Sequence, residues 1–105
     1  MQETTTQLDK LLSSPVKFGI MAQIIADGGE VAFVDVGRKQ KTMIGSYGAL
    51  SSHNKGLERE GYITLRKTFI SNKARTMLVA TDKGKERFAR RCAALKAVAQ
   101  LEAAE

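Results

Sequence analysis

A mainly helical α+β domain with a small antiparallel sheet is the fold class that this 105-residue sequence predicts. Three observations predict it. Apolar residues recur at helical spacing after Pro15, after Ser46 and after Thr81. Two runs rich in strand formers, Tyr62 to Phe69 and Thr76 to Ala80, follow the second of these helices. The Ser71-Asn72 pair between the runs has the chemistry of a tight turn.

The N-terminal third reads as scaffold. Gln7 to Ser13 predicts a short helix with Leu8, Leu11 and Leu12 on one side. Ser14 and Pro15 then give the next helix an N-cap and a first-turn proline. Val16, Ile20 and Ile24, with Met21 and Ile25 beside them, form a broad apolar stripe that ends at Asp27-Gly28-Gly29, so this is the central core helix. Met21 belongs to that stripe as core, with the lining of an effector pocket as the lesser reading. Glu30 to Phe33 alternates polar and apolar residues and predicts a short third strand. A second helix is placed near 34–40, although Gly37-Arg38-Lys39-Gln40-Lys41-Thr42 offers it no leucine.

The segment from Ser46 to Gly84 carries the functional signal. Ser46 can cap a helix that Gly61 terminates. At about 100° per residue, Leu50, Asn54 and Leu57 share one face, with Gly48, Ser51, Ser52, Lys55 and Arg59 roughly opposite. One side packs; the other is small, polar and cationic. Asn54 places an amide on the packing face, where it needs a partner or water. Gly56 costs that helix on the order of 1 kcal/mol relative to alanine. The hairpin that follows carries Arg66, Lys67, Lys73 and Arg75 with no acidic residue before Asp82. Four like charges on one hairpin repel one another unless a polyanion neutralises them. A capped amphipathic helix, a basic hairpin and a capped helix start, in that order, outline a winged helix-turn-helix that reads DNA.

Charge distribution agrees. The chain carries 17 Lys and Arg against 11 Asp and Glu. Nine of the basic residues lie between Arg38 and Arg75 with only Glu58 and Glu60 opposing them, a net of +7, while the remaining eight basic and nine acidic residues give −1. The whole excess falls on the DNA-reading segment. A membrane surface would want Phe, Leu or Trp beside the cations on one amphipathic helix, which this segment lacks.

Other classes find little support. No apolar run approaches the roughly 20 residues that span a bilayer. The start, Met1 to Thr6, is polar and without a basic signal, so a single cytoplasmic domain over residues 1–105 is expected. One cysteine excludes an internal disulfide, and with one histidine it makes no recognisable zinc site. No catalytic triad, phosphate-cradling loop or paired carboxylates can be argued, so neither an enzyme nor a cofactor is expected. An RNA-binding, protein-binding or non-specific architectural winged helix stays open as the alternative, because fold alone does not fix the ligand.

The last helix has Thr81 as N-cap and Asp82 in its first turn, and can run to about residue 102, roughly 30 Å. Phe88, Cys92, Leu95, Val98 and Leu101 mark its apolar stripe. So long a helix outruns the core of so small a domain. Its distal half, with Leu8, Leu11 and Leu12, is therefore expected to pair with a second copy and set two reading helices about 34 Å apart. His53 borders the packing face and reads as a hydrogen-bonded structural histidine before a phosphate contact or pH sensor. Cys92 sits in an apolar stripe and reads as an inert thiol before a redox sensor tuned by Arg90 and Arg91.

The motifs Gly48-Ala49-Leu50-Ser51-Ser52-His53, Leu57-Glu58-Arg59-Glu60-Gly61-Tyr62-Ile63, Lys67 with Phe69, Arg75-Thr76 and Thr81-Asp82-Lys83-Gly84, with Leu8 to Leu12 and Ser14 to Lys17 upstream, resemble the small winged-helix transcriptional regulators related to the MarR and ArsR groups. The resemblance implies a homodimer whose 46–60 helix enters the major groove of double-stranded DNA while the 62–80 hairpin lies on the adjacent backbone. Tyr47, Ser51, Ser52, Lys55 and Arg59 are the expected groove contacts. Arg38, Lys39, Lys41, Ser46, Arg66, Lys67, Lys73 and Arg75 are the expected phosphate contacts. Leu8, Leu11, Leu12, Leu95, Val98 and Leu101 are the expected dimer contacts. Repression is expected rather than activation, since nothing is left over to contact polymerase. The operator and any small-molecule effector are open.

Overall fold

Three hydroxyls set the starts of the long helices. A computed structural model of the protein describes residues 11–104. Ser14 accepts from the Lys17 amide at 3.3 Å and opens α1 (Pro15–Ala26). Ser46 accepts from the Ala49 amide at 3.0 Å and opens α4 (Tyr47–Arg59), and Thr81 accepts from the Gly84 amide at 3.0 Å and opens α5 (Asp82–Ala104). Each satisfies a first-turn N–H that the helix itself leaves unpaired. Between α1 and α4 lie β1 (Glu30–Ala32), α2 (Phe33–Lys39) and the single turn α3 (Lys41–Ile44). Between α4 and α5 lie β2 (Ile63–Ile70) and β3 (Lys73–Ala80).

The three strands form one antiparallel sheet in the order β1-β3-β2, with Leu78 opposite both Val31 and Leu65. Ser71 and Asn72 close the β2–β3 hairpin with both residues left-handed, φ 51° and 63°. That is the backbone a two-residue turn needs to match the twist of its strands. The helices and the inner end of the sheet enclose Ile20, Met21, Ile24, Val31, Val36, Leu50, Leu57, Tyr62, Ile63 and Leu78. Met21 is thus core, as the stripe predicts.

The second helix is displaced by one residue from its expected start and followed by a separate turn. It is anchored by Val36 and by Ile44 of α3, both buried. Polar bonds replace the missing leucine: Gln40 donates through Nε2 to the Gly19 carbonyl at 3.1 Å and to Gln23 Oε1 at 2.6 Å. Leu12 corrects the expected dimer set. It is 2% exposed and packs in the core beside α1, with Leu11 half-buried against the same cluster, so Leu12 has no surface left for a second copy. Leu8 and most of the expected 7–13 helix lie outside the described residues; Leu11 and Leu12 are helical.

Candidate nucleic-acid interface

Helix α4 is held on its inner side by Leu50, Asn54 and Leu57, all buried, which turns Ser52, Lys55 and Arg59 to the surface. Asn54 is 2% exposed, and among the described residues neither its Oδ1 nor its Nδ2 has a protein hydrogen-bond partner. The N-terminal end of α4 is fixed through Tyr47. Its ring stacks on Phe33 at 5.7 Å between centroids, and its hydroxyl donates to the Val34 carbonyl at 3.4 Å.

Two hollows bring the expected site residues together. One, about 300 Å³, separates α4 from the wing and is lined by Ser51, Asn54, Lys55 and Glu58 on the helix and by Leu65, Lys67 and Thr76 on the strands. Lys55 and Lys67 thus face a common cleft, one from α4 and one from the β2–β3 hairpin. The other, about 230 Å³, gathers Arg38, Lys41, Ser46 and Tyr47 at the start of α4. Arg38 is also 3.4 Å from the Asp35 carboxylate, a pair exposed enough to exchange for a phosphate at little cost. Lys39 is exposed but lines neither hollow.

The hairpin divides its charge between two faces. Successive side chains on a strand alternate, so Lys67 lies with Ile63 and Leu65 on the α4 side, whereas Arg66 lies on the outer side. There Arg66 pairs with Glu30 of β1, which brings a carboxylate to a surface that looks purely cationic in the hairpin sequence. Lys73 and Arg75 belong to that outer side of the adjoining strand, and Arg75 stands opposite Thr68.

His53 is tied to the scaffold. Lys17 Nζ of α1 donates to His53 Nδ1 at 3.1 Å, so the imidazole is neutral with its proton on Nε2. Burial, reinforced by the Lys17 charge, holds the His53 pKa below the ordinary 6.5. Lys17 is a residue the sequence reading missed, because nothing local to Ser14-Pro15-Val16-Lys17 indicates a partner on α4. Cys92 is half-buried, and beyond it Leu95, Val98 and Leu101 are 43%, 55% and 71% exposed.

A three-strand sheet, a capped helix carrying cations outward and a wing facing it across a cleft define the winged-helix class of DNA-reading domains. The chain belongs to the winged helix DNA-binding domain family, whose model matches residues 16–99. It is 32% identical to the structure of a transcriptional regulator homologue from Pyrococcus horikoshii OT3, over 95% of this chain and 96% of that one, with a TM-score of 0.74. It is 25% identical to Bacillus subtilis PadR, solved in complex with operator DNA, over 73% of this chain and 46% of that one, with a TM-score of 0.59. It also shares its fold with an organohalide-sensing transcriptional regulator solved with 2,4-dichlorophenol, at 20% identity, covering 99% of this chain and 59% of that one, with a TM-score of 0.73. The chain therefore spans only about half the length of those last two regulators. No curated protein sequence matches it. The winged-helix regulator resemblance is borne out. Among the described residues, no helix is long and apolar enough to cross a membrane.

Proposed function

We propose that the protein is a homodimeric, sequence-specific regulator of transcription that reads double-stranded DNA through α4 and grips the backbone with its wing. The observation that carries this reading is the common cleft of Lys55 and Lys67, with Ser52 and Arg59 exposed on the same helix. Small polar residues let the helix approach base edges, and a cation reaching in can bond the guanine edge. Lys41, Lys73 and Arg75 supply charge at the margins, where phosphates pass. Bacillus subtilis PadR, which is similar to this chain, is solved in complex with operator DNA, and that supports the DNA-binding reading. The exposed Leu95, Val98 and Leu101 supply a face for a second copy. We read the action as repression, since occupying an operator requires no surface beyond these.

The reading is tested by selecting bound sequences from a pool of random duplexes at physiological salt, then titrating the best against a scrambled control. Enrichment of an inverted repeat supports both specificity and the dimer. Tight but unselective binding with a steep salt dependence makes the protein architectural, and no binding to any duplex overturns the DNA reading.

A further inference from the structure

The tip of the wing carries apolar surface that neither the fold nor the cationic grip uses. Phe69 is 76% exposed and its neighbour Ile70 is 49% exposed. Across the ladder Phe69 faces Ala74, whose methyl group is too small to cover a ring. The aromatic pairs among the described residues are Phe18 with Phe88 and Phe33 with Tyr47, so Phe69 stacks on neither. A single exposed apolar residue on a flat surface is ordinary; a phenyl ring this exposed at the point of a hairpin, with Lys67 on its own face and Lys73 and Arg75 on the other, puts apolar and cationic groups at one tip.

We propose that Phe69 is a wedge that the wing delivers into the minor groove beside the site read by α4, where it parts a base step and bends the duplex. The inference rests on the DNA-binding reading above. Placement supports it first. Phe69 has the same strand parity as Leu65 and Lys67, so its ring projects on the α4 side, toward whatever α4 docks against. Reach supports it second. Six residues separate Phe69 from Ile63 at the core, and at about 3.4 Å per residue the ring stands roughly 20 Å out along the hairpin, clear of the buried body of the domain. Shape comes third. A minor groove about 6 Å wide excludes a helix but admits single side chains projecting from a hairpin tip, and the two-residue Ser71-Asn72 turn keeps that tip narrow.

Charge complementarity selects the partner. Cations beside an apolar point suit a groove whose two walls are phosphates and whose floor is the edges of stacked base pairs, with the apolar faces exposed once a step is parted. The ring gains by leaving water for the stack while Lys67 and Lys73 meet the walls. Ring and cations therefore separate by experiment, because counterion release follows the cations and unstacking follows the ring.

The test uses the full chain and the duplex enriched from the random pool, with donor and acceptor dyes on its ends to read bending and 2-aminopurine at successive steps to read unstacking. Wild type should shorten the end-to-end distance and brighten 2-aminopurine at one step outside the sequence contacted by α4. Phe69→Ala should abolish both signals and weaken binding about tenfold with an unchanged salt slope, and Phe69→Leu should retain part of each. Lys73→Ala should lower the salt slope and keep the unstacking signal. Equal bending and 2-aminopurine brightness in wild type and Phe69→Ala would overturn the wedge while leaving the DNA reading intact. Failure of wild type to bind any duplex would overturn both. Circular dichroism confirms that the surface variant is folded. With Phe69→Trp, a blue-shifted emission on anionic phospholipid vesicles and none on the duplex would assign the tip to a membrane surface and overturn the wedge.

Discussion

Tyr47 lies across Gly37: a Cβ at Gly37 would stand 2.1 Å from Tyr47 Cε1, so the ring occupies the space that any other residue would need. The contact joins α2 to the first turn of α4, and the Phe33 stack and the Val34 carbonyl hold the ring from two further sides. Because Tyr47 is half-exposed, it can swing aside. Gly37→Ala should therefore cost only about 1 kcal/mol of stability in urea, within the usual cost of overpacking, while displacing the ring from the reading end of α4. Operator affinity should fall at least tenfold. Unchanged affinity in a folded Gly37→Ala variant would show that the ring's position is immaterial to binding.

Lys55 and Lys73 occupy different parts of the proposed interface, and their losses should look different. Lys73→Ala removes one outer cation of the wing and should weaken all sequences alike, lowering the slope of log affinity against log salt by about one. Lys55→Ala removes a side chain at the cleft and should relax preference at one base position by roughly 1–3 kcal/mol. Equal losses on operator and scrambled DNA for Lys55→Ala would move the reading face elsewhere.

Protonating His53 sets a second positive charge against Lys17 Nζ, so the folded state resists it. A depressed pKa in the folded state contributes stability that is complete above the unfolded value of 6.5 and is lost as pH falls below it toward the folded pKa. Denaturant midpoints should therefore decline on acidification through this window. His53→Gln should flatten that part of the profile. An identical slope in the variant would assign the pH dependence to other groups.

Gly84 tolerates no side chain. An added Cβ would stand 2.1 Å from the Tyr62 carbonyl oxygen and 3.1 Å from Met21 Cε. That carbonyl accepts from the Thr81 amide at 3.0 Å, while Thr81 Oγ1 donates to the Gly61 carbonyl at 2.6 Å. The start of α5 is thereby pressed against the loop that ends α4. Gly84→Ala must push backbone apart and should lose about 3 kcal/mol in urea denaturation, at the upper end of overpacking costs. A loss below 1 kcal/mol would mean that the junction can slide.

The Thr81 cap and the Ser71-Asn72 turn show what was legible in the sequence, because their chemistry is local: a hydroxyl three residues before the amide it accepts, and two residues able to hold positive φ. The buried face of α4 was legible for a similar reason, as helical spacing alone places Leu50, Asn54 and Leu57 together. The contacts that refine the site are not local. Gln40 meets Gln23 across 17 residues, while Lys17 meets His53 and Arg66 meets Glu30 across 36 in each case. Neither partner's neighbours announce the other. Leu12 failed as a dimer residue on the same ground: an apolar stripe shows which side of a helix seeks cover, not whose core supplies it.

The distal half of α5 brings that ambiguity to a test. From Ala93 to Leu101 every residue is exposed, so the protomer supplies no cover for Leu95, Val98 or Leu101. Their spacing of three keeps them on one side of the helix, and Ala94 and Ala97 beside them let a second helix approach closely. If that side is the dimer face, Leu95→Asp with Val98→Asp should leave folding intact, since both positions are already at the surface. The sedimentation coefficient should then fall from that of a dimer to that of a monomer. Affinity for an inverted repeat should fall by at least a hundredfold as the benefit of joining two reading heads disappears, while the weak affinity for a single half-site stays unchanged. A double variant that sediments as a dimer, or a wild type that sediments as a monomer at operator-binding concentrations, would place the two-fold axis elsewhere or abolish it.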